Sequence, residues 1–197
     1  MIRTLLHCSI TTALVICLSV INSGCVPLLA GGAATGAAVA NDKRTTGTVI
    51  EDQVIESKAS EFFSSDGELA EKANINVTSY NQRVLLTGEA PTDELRKRAG
   101  EYANRVAKVH HVFNEIALAS PSTGINRTND GLLTTKVKAK LISIKEISST
   151  DIKVVTEAGV VYLMGLIDPA TGDAIAKQVA TIGGITKVVK LFENSGS

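Results

Sequence analysis

The sequence predicts an α+β fold of two tandem modules, each with the element order αββαβ and a three-stranded mixed sheet packed against two helices. The first observation behind this prediction is a repeat: residues 75–88 align without a gap with residues 152–165. The second is that helical and strand patterns follow both copies in the same order. Each module has only about 65–70 residues, which is marginal for independent stability, so we expect the two modules to dock.

Each copy of the repeat has the pattern of a β-hairpin. Alternating apolar residues predict half-buried strands, and Asn81-Gln82 and Ala158-Gly159 fall at the turns. Gly88 and Gly165 come near the end of the second strand of each hairpin. A glycine there permits a backbone angle or a close approach that a Cβ would block. We therefore expect a structural role for both glycines, in preference to ligand binding.

Helices flank both hairpins in the predicted modules. A helix precedes each hairpin, at about 49–64 and about 130–144. In the helices that follow, Thr92 is suited to the N-cap and Pro169 to the first turn. A last strand closes each module, at 109–116 and 185–192.

The first 24 residues have the pattern of an export signal. Arg3 is followed by an uncharged apolar run from Leu5 to Ile21 and then by Ser23-Gly24, directly before Cys25. This arrangement resembles a bacterial lipobox, although Asn22 stands where leucine is usual. We expect cleavage before Cys25, with diacylglycerol on its thiol and an acyl chain on its new amino group, and we expect no other cofactor. The alternative is an uncleaved membrane helix, for which the apolar run is short.

The predicted domain boundaries follow from composition. Residues 25–48 contain the lipidated cysteine and a tether rich in Gly, Ala and Thr. The first module spans 49–119, a polar linker 120–129 and the second module 130–194. The residue after Cys25 is Val26, and the absence of Asp there favours the outer membrane over the inner one. The predicted location is therefore the outer membrane, facing the periplasm.

Four segments carry a family resemblance: Ile75–Tyr80, Val84–Gly88, Thr134–Val137 and Val161–Leu166. They resemble the corresponding segments of the BON-domain family, and the resemblance covers nearly the whole chain after Cys25. It implies a periplasmic protein that supports outer-membrane integrity and has no catalytic residues. It also implies that the second module binds anionic phospholipid through its first helix.

That helix can be examined by its geometry. At 100° per residue, its core side is formed by Leu133, Val137, Leu141 and Ile144. Leu132 points away from this side, with Lys136 close to it and Lys140 at the edge of the core side. An exposed leucine beside lysines suits a membrane interface, and the resemblance implies an anionic lipid, so we expect Leu132, Leu133, Lys136 and Lys140 to bind phosphatidylglycerol or cardiolipin. The alternative is that Leu132 staples the helix start or packs on the first module, beside ordinary solvated lysines.

Several other classes of function are disfavoured. The chain has 20 basic and 20 acidic residues and no tryptophan, which argues against nucleic-acid binding. His110 and His111 should point to opposite faces of a strand, so they do not predict a metal site. Asp66 and Glu68 are expected in a solvated charged loop. Catalysis is not expected, and the second hypothesis is a scaffold that binds outer-membrane assembly proteins or a cell-wall remodelling complex through the first module.

Overall fold

The computed structural model describes residues 42–121, 125–144 and 151–194. These residues belong to one compact unit. The predicted signal segment, Cys25 and most of the predicted tether lie outside the described residues.

The order of elements confirms the two αββαβ modules. The first module contains α1 (Thr46–Ser65), α2 (Gly67–Lys72), β1 (Asn74–Tyr80), β2 (Arg83–Ala90), α3 (Asp93–Arg105), β3 (His111–Asn114) and β4 (Ala117–Leu118). The second contains α4 (Ile125–Ile142), β5 (Ile152–Glu157), β6 (Val160–Leu166), α5 (Pro169–Val179) and β7 (Lys187–Glu193). The short helix α2 was not expected.

Both sheets are mixed, as predicted. β2 pairs antiparallel with β1 and parallel with β3, and β6 pairs in the same way with β5 and β7. The predicted strand 109–116 is instead divided, because β4 pairs separately with β2 after a break. Between β3 and β4, the side chain of Ile116 is buried. The backbone N–H of Ile116 donates a hydrogen bond to the side-chain oxygen of Asn114. The first sheet therefore has four strands and the second has three.

Three local predictions need correction. The first helix begins at Thr46 because the Thr45 hydroxyl accepts a hydrogen bond from the N–H of Thr48, so the end of the predicted tether is helical. The second module's first helix begins at Ile125, within the predicted linker. The segment that was expected to be a charged loop is instead the helix α2, whose N-terminus is capped by the Asp66 carboxylate. Arg98 of α3 forms an ion pair with the same carboxylate.

The predicted hairpin turns are confirmed. Asn81 and Gln82 have φ values of 52° and 63°, and Ala158 and Gly159 have 49° and 76°. Positive φ at both central residues is the conformation of the two-residue turn that matches the twist of paired strands. Gln82 and Ala158 take this conformation without being residues that favour it, so other contacts must hold the turns.

Those contacts come from an aspartate in the first long helix of each module. Asp52 of α1 accepts hydrogen bonds from the N–H groups of Asn81 and Gln82, at 2.8 and 2.7 Å. Asp130 of α4 accepts both turn N–H groups of the second module at 2.9 Å. Both carboxylates are buried. The repeat thus extends from the hairpins into the helices that cap them.

The two sheets pack against each other through the faces that carry no helices. Val84 and Leu86 of β2 face a core formed with α1 and α3, and Leu85 between them faces the other way. β6 has the same division, with Val161 on the helix side. The buried residues of the shared core are Tyr80, Leu85, Tyr162, Met164 and Leu191.

This packing confirms that the modules dock, and it places their helices on opposite outer faces. It also corrects the expectation of half-buried strands for β2 and β6, whose residues are buried on both faces. Each central strand has a continuous apolar stretch, which suits a strand covered on both sides.

Candidate functional site

The outer surface of α4 exposes a large apolar side chain. Leu132 is 60% exposed, whereas its neighbour Leu133 is 2% exposed. Val137 and Leu141 are buried with Leu133 on the opposite side of the helix, as the helical geometry predicts. Leu132 is therefore accessible to a partner without any change in the core.

Leu133 does not belong to this surface, although it was expected in the lipid site. Its side chain is in the interior, close to the turn after α5. A Cβ added at Gly184 would lie 3.0 Å from Leu133 Cδ2, so the two residues are already in close contact. The correction follows from the period of the helix, which turns adjacent residues about 100° apart.

Ile142 is a second exposed apolar residue on α4, and the sequence analysis missed it. Its side chain is 66% exposed. It follows Leu132 by ten positions, which leaves the two side chains about 80° apart around the helix axis. Thr135 and Ala139 lie between them on the same exposed side. The same helical projection that identified Leu132 could have found Ile142.

Lysines flank the apolar strip that Leu132, Ala139 and Ile142 form on the exposed side of α4. Lys136 and Lys138 are exposed on either side of it, and Lys140 is half-buried near the core edge. Within the described part of the chain none of the three forms an ion pair. The one carboxylate among the described side chains of α4, Asp130, points inward to the hairpin turn. The outer surface of α4 is therefore cationic around an apolar centre.

The corresponding surface of the first module has different electrostatics. Aligned by the hairpin-capping aspartates, Val54 and Lys58 of α1 occupy the places of Leu132 and Lys136 in α4. Val54 is also exposed, at 53%. Lys58, however, is paired with Glu61 at 2.8 Å. The repeat preserves the exposed aliphatic residue but not the unpaired positive charge.

A groove lies beside the exposed strip, between α4 and β5. Its volume is about 220 Å³. It is lined by Lys138, Leu141, Ile142, Ile152, Lys153 and Val154. Ile142 thus belongs both to the exposed strip and to the rim of this groove, which widens the apolar surface near the C-terminal end of α4.

No helix in the described ranges is long and apolar enough to cross a bilayer. No group of three or more His, Cys, Asp or Glu side chains in the same ranges is arranged to hold a metal ion. The two predicted strand histidines have local contacts instead. The backbone N–H of His110 donates to the Gln82 carbonyl oxygen. The His111 ring packs edge-on against Phe113, with 4.4 Å between ring centroids.

Comparison with known proteins gives a match to both modules. The sequence profile of the BON domain matches residues 51–120 and 129–193, so it covers more than half of the chain. The chain belongs to the BON-domain family. Its two BON modules correspond to the two repeats found in the sequence.

The chain is also similar to named bacterial proteins. The chain is 36% identical over 170 residues to the outer membrane lipoprotein DolP of Haemophilus influenzae, covering 86% of this chain and 88% of that protein. It is 37% identical over 152 residues to the 21 kDa hemolysin of Actinobacillus pleuropneumoniae, covering 77% and 78%. The C-terminal domain of CdsD, a structural protein of the type III secretion system of Chlamydia trachomatis, matches with a TM-score of 0.29 and 15% identity over 72% of this chain and 65% of that chain.

The two BON modules share one glycine position at the hairpin edge. Gly88 has a φ of +108°, and a Cβ there would collide with the carbonyl oxygen of Asn74. A Cβ at Gly165 would lie 2.5 Å from the carbonyl oxygen of Asp151. In both modules the close backbone approach is to the residue at the start of the hairpin, which is a structural reason for glycine.

Proposed function

We propose that this chain is a non-enzymatic envelope protein that is anchored to the outer membrane by lipid on Cys25 and faces the periplasm. In this proposal the second BON module binds anionic phospholipid through α4 and so supports outer-membrane integrity. The lipid contacts are Leu132, Ile142, Lys136 and Lys140, with Lys138 on the far flank.

The anchor is supported by the N-terminal sequence and by a relative. The apolar run followed by Ser23-Gly24-Cys25 suits export and thiol acylation. A relative that matches across most of both chains is named an outer membrane lipoprotein. Two or more acyl chains give stable attachment, because each buried CH₂ contributes about 0.8 kcal/mol.

The observation that carries the lipid proposal is the outer surface of α4. An apolar side chain at the centre of a cationic helix face can enter the acyl region while the amines meet phosphate groups. Each lysine near an anionic surface contributes about 1 kcal/mol, or roughly a fivefold change in affinity. Burying one leucine contributes about 1.5–3 kcal/mol more. Such a contact is weak alone, but an anchor in the same membrane raises its local concentration.

The first module is the less suitable partner for an anionic surface. Lys58 already has a carboxylate partner. Lys108, next to the exposed Ile50 and Val54, is paired with Glu51. An anionic membrane would gain little attraction there. Since the helices of the two modules lie on opposite outer faces, α1 points away from a membrane that α4 contacts.

Vesicle flotation tests the lipid proposal. Residues 26–197, which lack both the apolar export segment and the acylated Cys25, are purified and mixed with phosphatidylcholine vesicles containing either phosphatidylglycerol or cardiolipin. Pure phosphatidylcholine vesicles serve as the neutral control. We expect flotation with anionic vesicles only, and a decline as salt screens the lysines. Equal flotation with neutral vesicles, or none with anionic ones, would contradict the proposal.

Mass spectrometry tests the anchor separately. The membrane-bound protein should begin at Cys25 and carry the mass of diacylglycerol and one further acyl chain. An intact N-terminus that retains residues 1–24 would favour the uncleaved membrane helix instead.

A second function is favoured by one feature of the first module. An apolar groove of about 290 Å³ is lined by Ile50, Val54, Ile55 and Ala107, with Glu51 and Lys108 at its edge. Such a groove suits an apolar side chain of a partner protein, for example in an outer-membrane assembly or cell-wall remodelling complex. A photo-crosslinker at Val54 should then give a discrete protein adduct in cells, while the same probe at the exposed Ser57 on the same helix should not.

A further inference from the structure

Three residues just before α1 lie at the junction of the two BON modules. Arg44 forms ion pairs with Asp52 at 2.8 Å and with Asp42 at 2.7 Å. Its guanidinium group also stacks over the Tyr80 ring, 3.9 Å from the centroid. The Arg44 side chain is only 12% exposed. This set of contacts fixes residues 42–44 to the first module.

The neighbouring residue Lys43 reaches the second module. Its Nζ donates a hydrogen bond to the Leu166 carbonyl oxygen at 3.2 Å and lies 3.6 Å from Asp151 Oδ2. The Tyr80 hydroxyl, which lies beneath Arg44, donates to the Asp151 carbonyl oxygen at 3.2 Å. Adjacent residues of one short segment are therefore fastened to different modules.

The charge on Asp151 makes the Lys43 contact important. The Asp151 side chain is 8% exposed, and its Oδ1 has no hydrogen-bond partner among the described residues. A buried carboxylate is costly without a nearby positive charge. Lys43 is the cation that faces it across the junction. Among the described residues no other cation pairs with Asp151, so losing Lys43 would remove the positive charge that faces this carboxylate.

We propose that residues 42–44 form a strap that locks the two BON modules together, with Arg44 holding the first module and Lys43 holding the second. The strap directly follows the segment that leads from Cys25. It adds to an interface that contains the shared apolar core and other polar contacts between the modules, among them Asn76–Glu157, Asn81–Glu193 and the Lys153–Glu56 ion pair. This inference is independent of whether α4 binds lipid.

Met164 provides a reporter for this interface. It is buried in the shared core. The chain contains only two methionines, Met1 and Met164. Met1 lies in the segment that we expect to be removed before Cys25, so methyl-labelled methionine in the lipidated protein gives one NMR signal, which comes from the interface. The NMR spectra are recorded on the lipidated protein in detergent micelles. A soluble paramagnetic agent then measures how accessible the Met164 methyl group is to solvent.

Three substitutions separate the strap from general surface effects. Lys43→Gln removes the charge that faces Asp151, and Lys43→Arg keeps it. Lys58→Gln makes the same change at an exposed lysine whose ion pair with Glu61 lies within α1. We expect Lys43→Gln to shift and broaden the Met164 signal and to raise its paramagnetic relaxation at least twofold. Lys43→Arg and Lys58→Gln should leave the signal near that of the wild type.

A second measurement examines the other side of the ion pair. Asp151→Asn should release the Lys43 side chain, so that trypsin cleaves after Lys43 several-fold faster than in the wild type. An unchanged Met164 signal in Lys43→Gln would overturn the strap, as would an unchanged rate of cleavage after Lys43 in Asp151→Asn. Equal changes of the Met164 signal in Lys58→Gln would also overturn it. If Lys43→Gln does not fold, the cleavage assay on Asp151→Asn decides between the two outcomes.

Discussion

Leu132 and Leu133 are adjacent in α4 but lie in opposite environments, one at the solvent and one in the core. Two adjacent leucines in a sequence would suggest one shared role, but the structure gives Leu132 and Leu133 different roles. Leu133 stabilises the second module, whereas Leu132 is available to a membrane. Substitutions at the two positions should therefore affect different measurements.

Stability measurements distinguish the two leucines. Leu133→Ala should destabilise the chain by about 2–5 kcal/mol, because it removes buried methyl groups and leaves a cavity. Leu132→Ala should change the free energy of unfolding by no more than about 0.5 kcal/mol. Urea unfolding followed by circular dichroism measures both. Comparable losses in the two variants would show that Leu132 is not at an exposed position.

Glycine substitutions provide a second test of the structure. Gly88→Ala should destabilise the first module, because its positive φ and the Asn74 carbonyl oxygen both oppose a Cβ. Gly131→Ala should instead stabilise the chain by about 0.5–1 kcal/mol, since Gly131 lies in α4 with open space around it. The thermal midpoints of the two variants should therefore move in opposite directions. A rise with Gly88→Ala would contradict the close approach between the two strands.

Glu157 should make stability depend on pH. Burial, and then repulsion from Glu89 and Asp130, raise the pKa of Glu157 above its ordinary value of 4.5, although a hydrogen bond from Asn76 opposes the shift. A raised folded-state pKa favours folding while the group is protonated, and this contribution is lost as pH rises through that pKa. Glu157→Gln should therefore gain stability relative to the wild type between about pH 4 and pH 7. A constant difference across that range would contradict the raised pKa.

The sequence predicted the elements of each module well, because their signals are local. The Asn81-Gln82 and Ala158-Gly159 turns, the Thr92 cap and the capped Pro169 helix start are each set by a few neighbouring residues. The short helix α2 had such a signal as well. Asp66 precedes Gly67-Glu68-Leu69 and caps it, but the density of charge suggested a loop.

The packing between modules was harder to predict, because it depends on residues distant in sequence. Leu85 and Met164 sit among apolar neighbours in their strands, so each module alone gives no partner for them. Their uninterrupted apolar runs are typical of strands buried on both faces, but the sequence was interpreted as half-buried strands and gave no partner for the second face. The position of Lys43 beside Asp151 could not be inferred either, since more than a hundred residues separate them.

The candidate site was predicted in part. The helical period gave the outward direction of Leu132 and should have excluded Leu133 and included Ile142. The absence of ion partners for Lys136 in the described ranges needed the structure. The contrast with Lys58 could have been predicted, because Lys58 and Glu61 are three residues apart on a predicted helix and therefore lie close together.

The central claim is that α4, and not its counterpart α1, contacts anionic lipid. Its most direct test compares flotation of Leu132→Glu and Val54→Glu, which place the same charge at corresponding exposed positions. We expect Leu132→Glu to reduce binding to phosphatidylglycerol vesicles at least tenfold, and Val54→Glu to stay within twofold of the wild type. Undiminished binding by Leu132→Glu, or an equal loss with Val54→Glu, would contradict it.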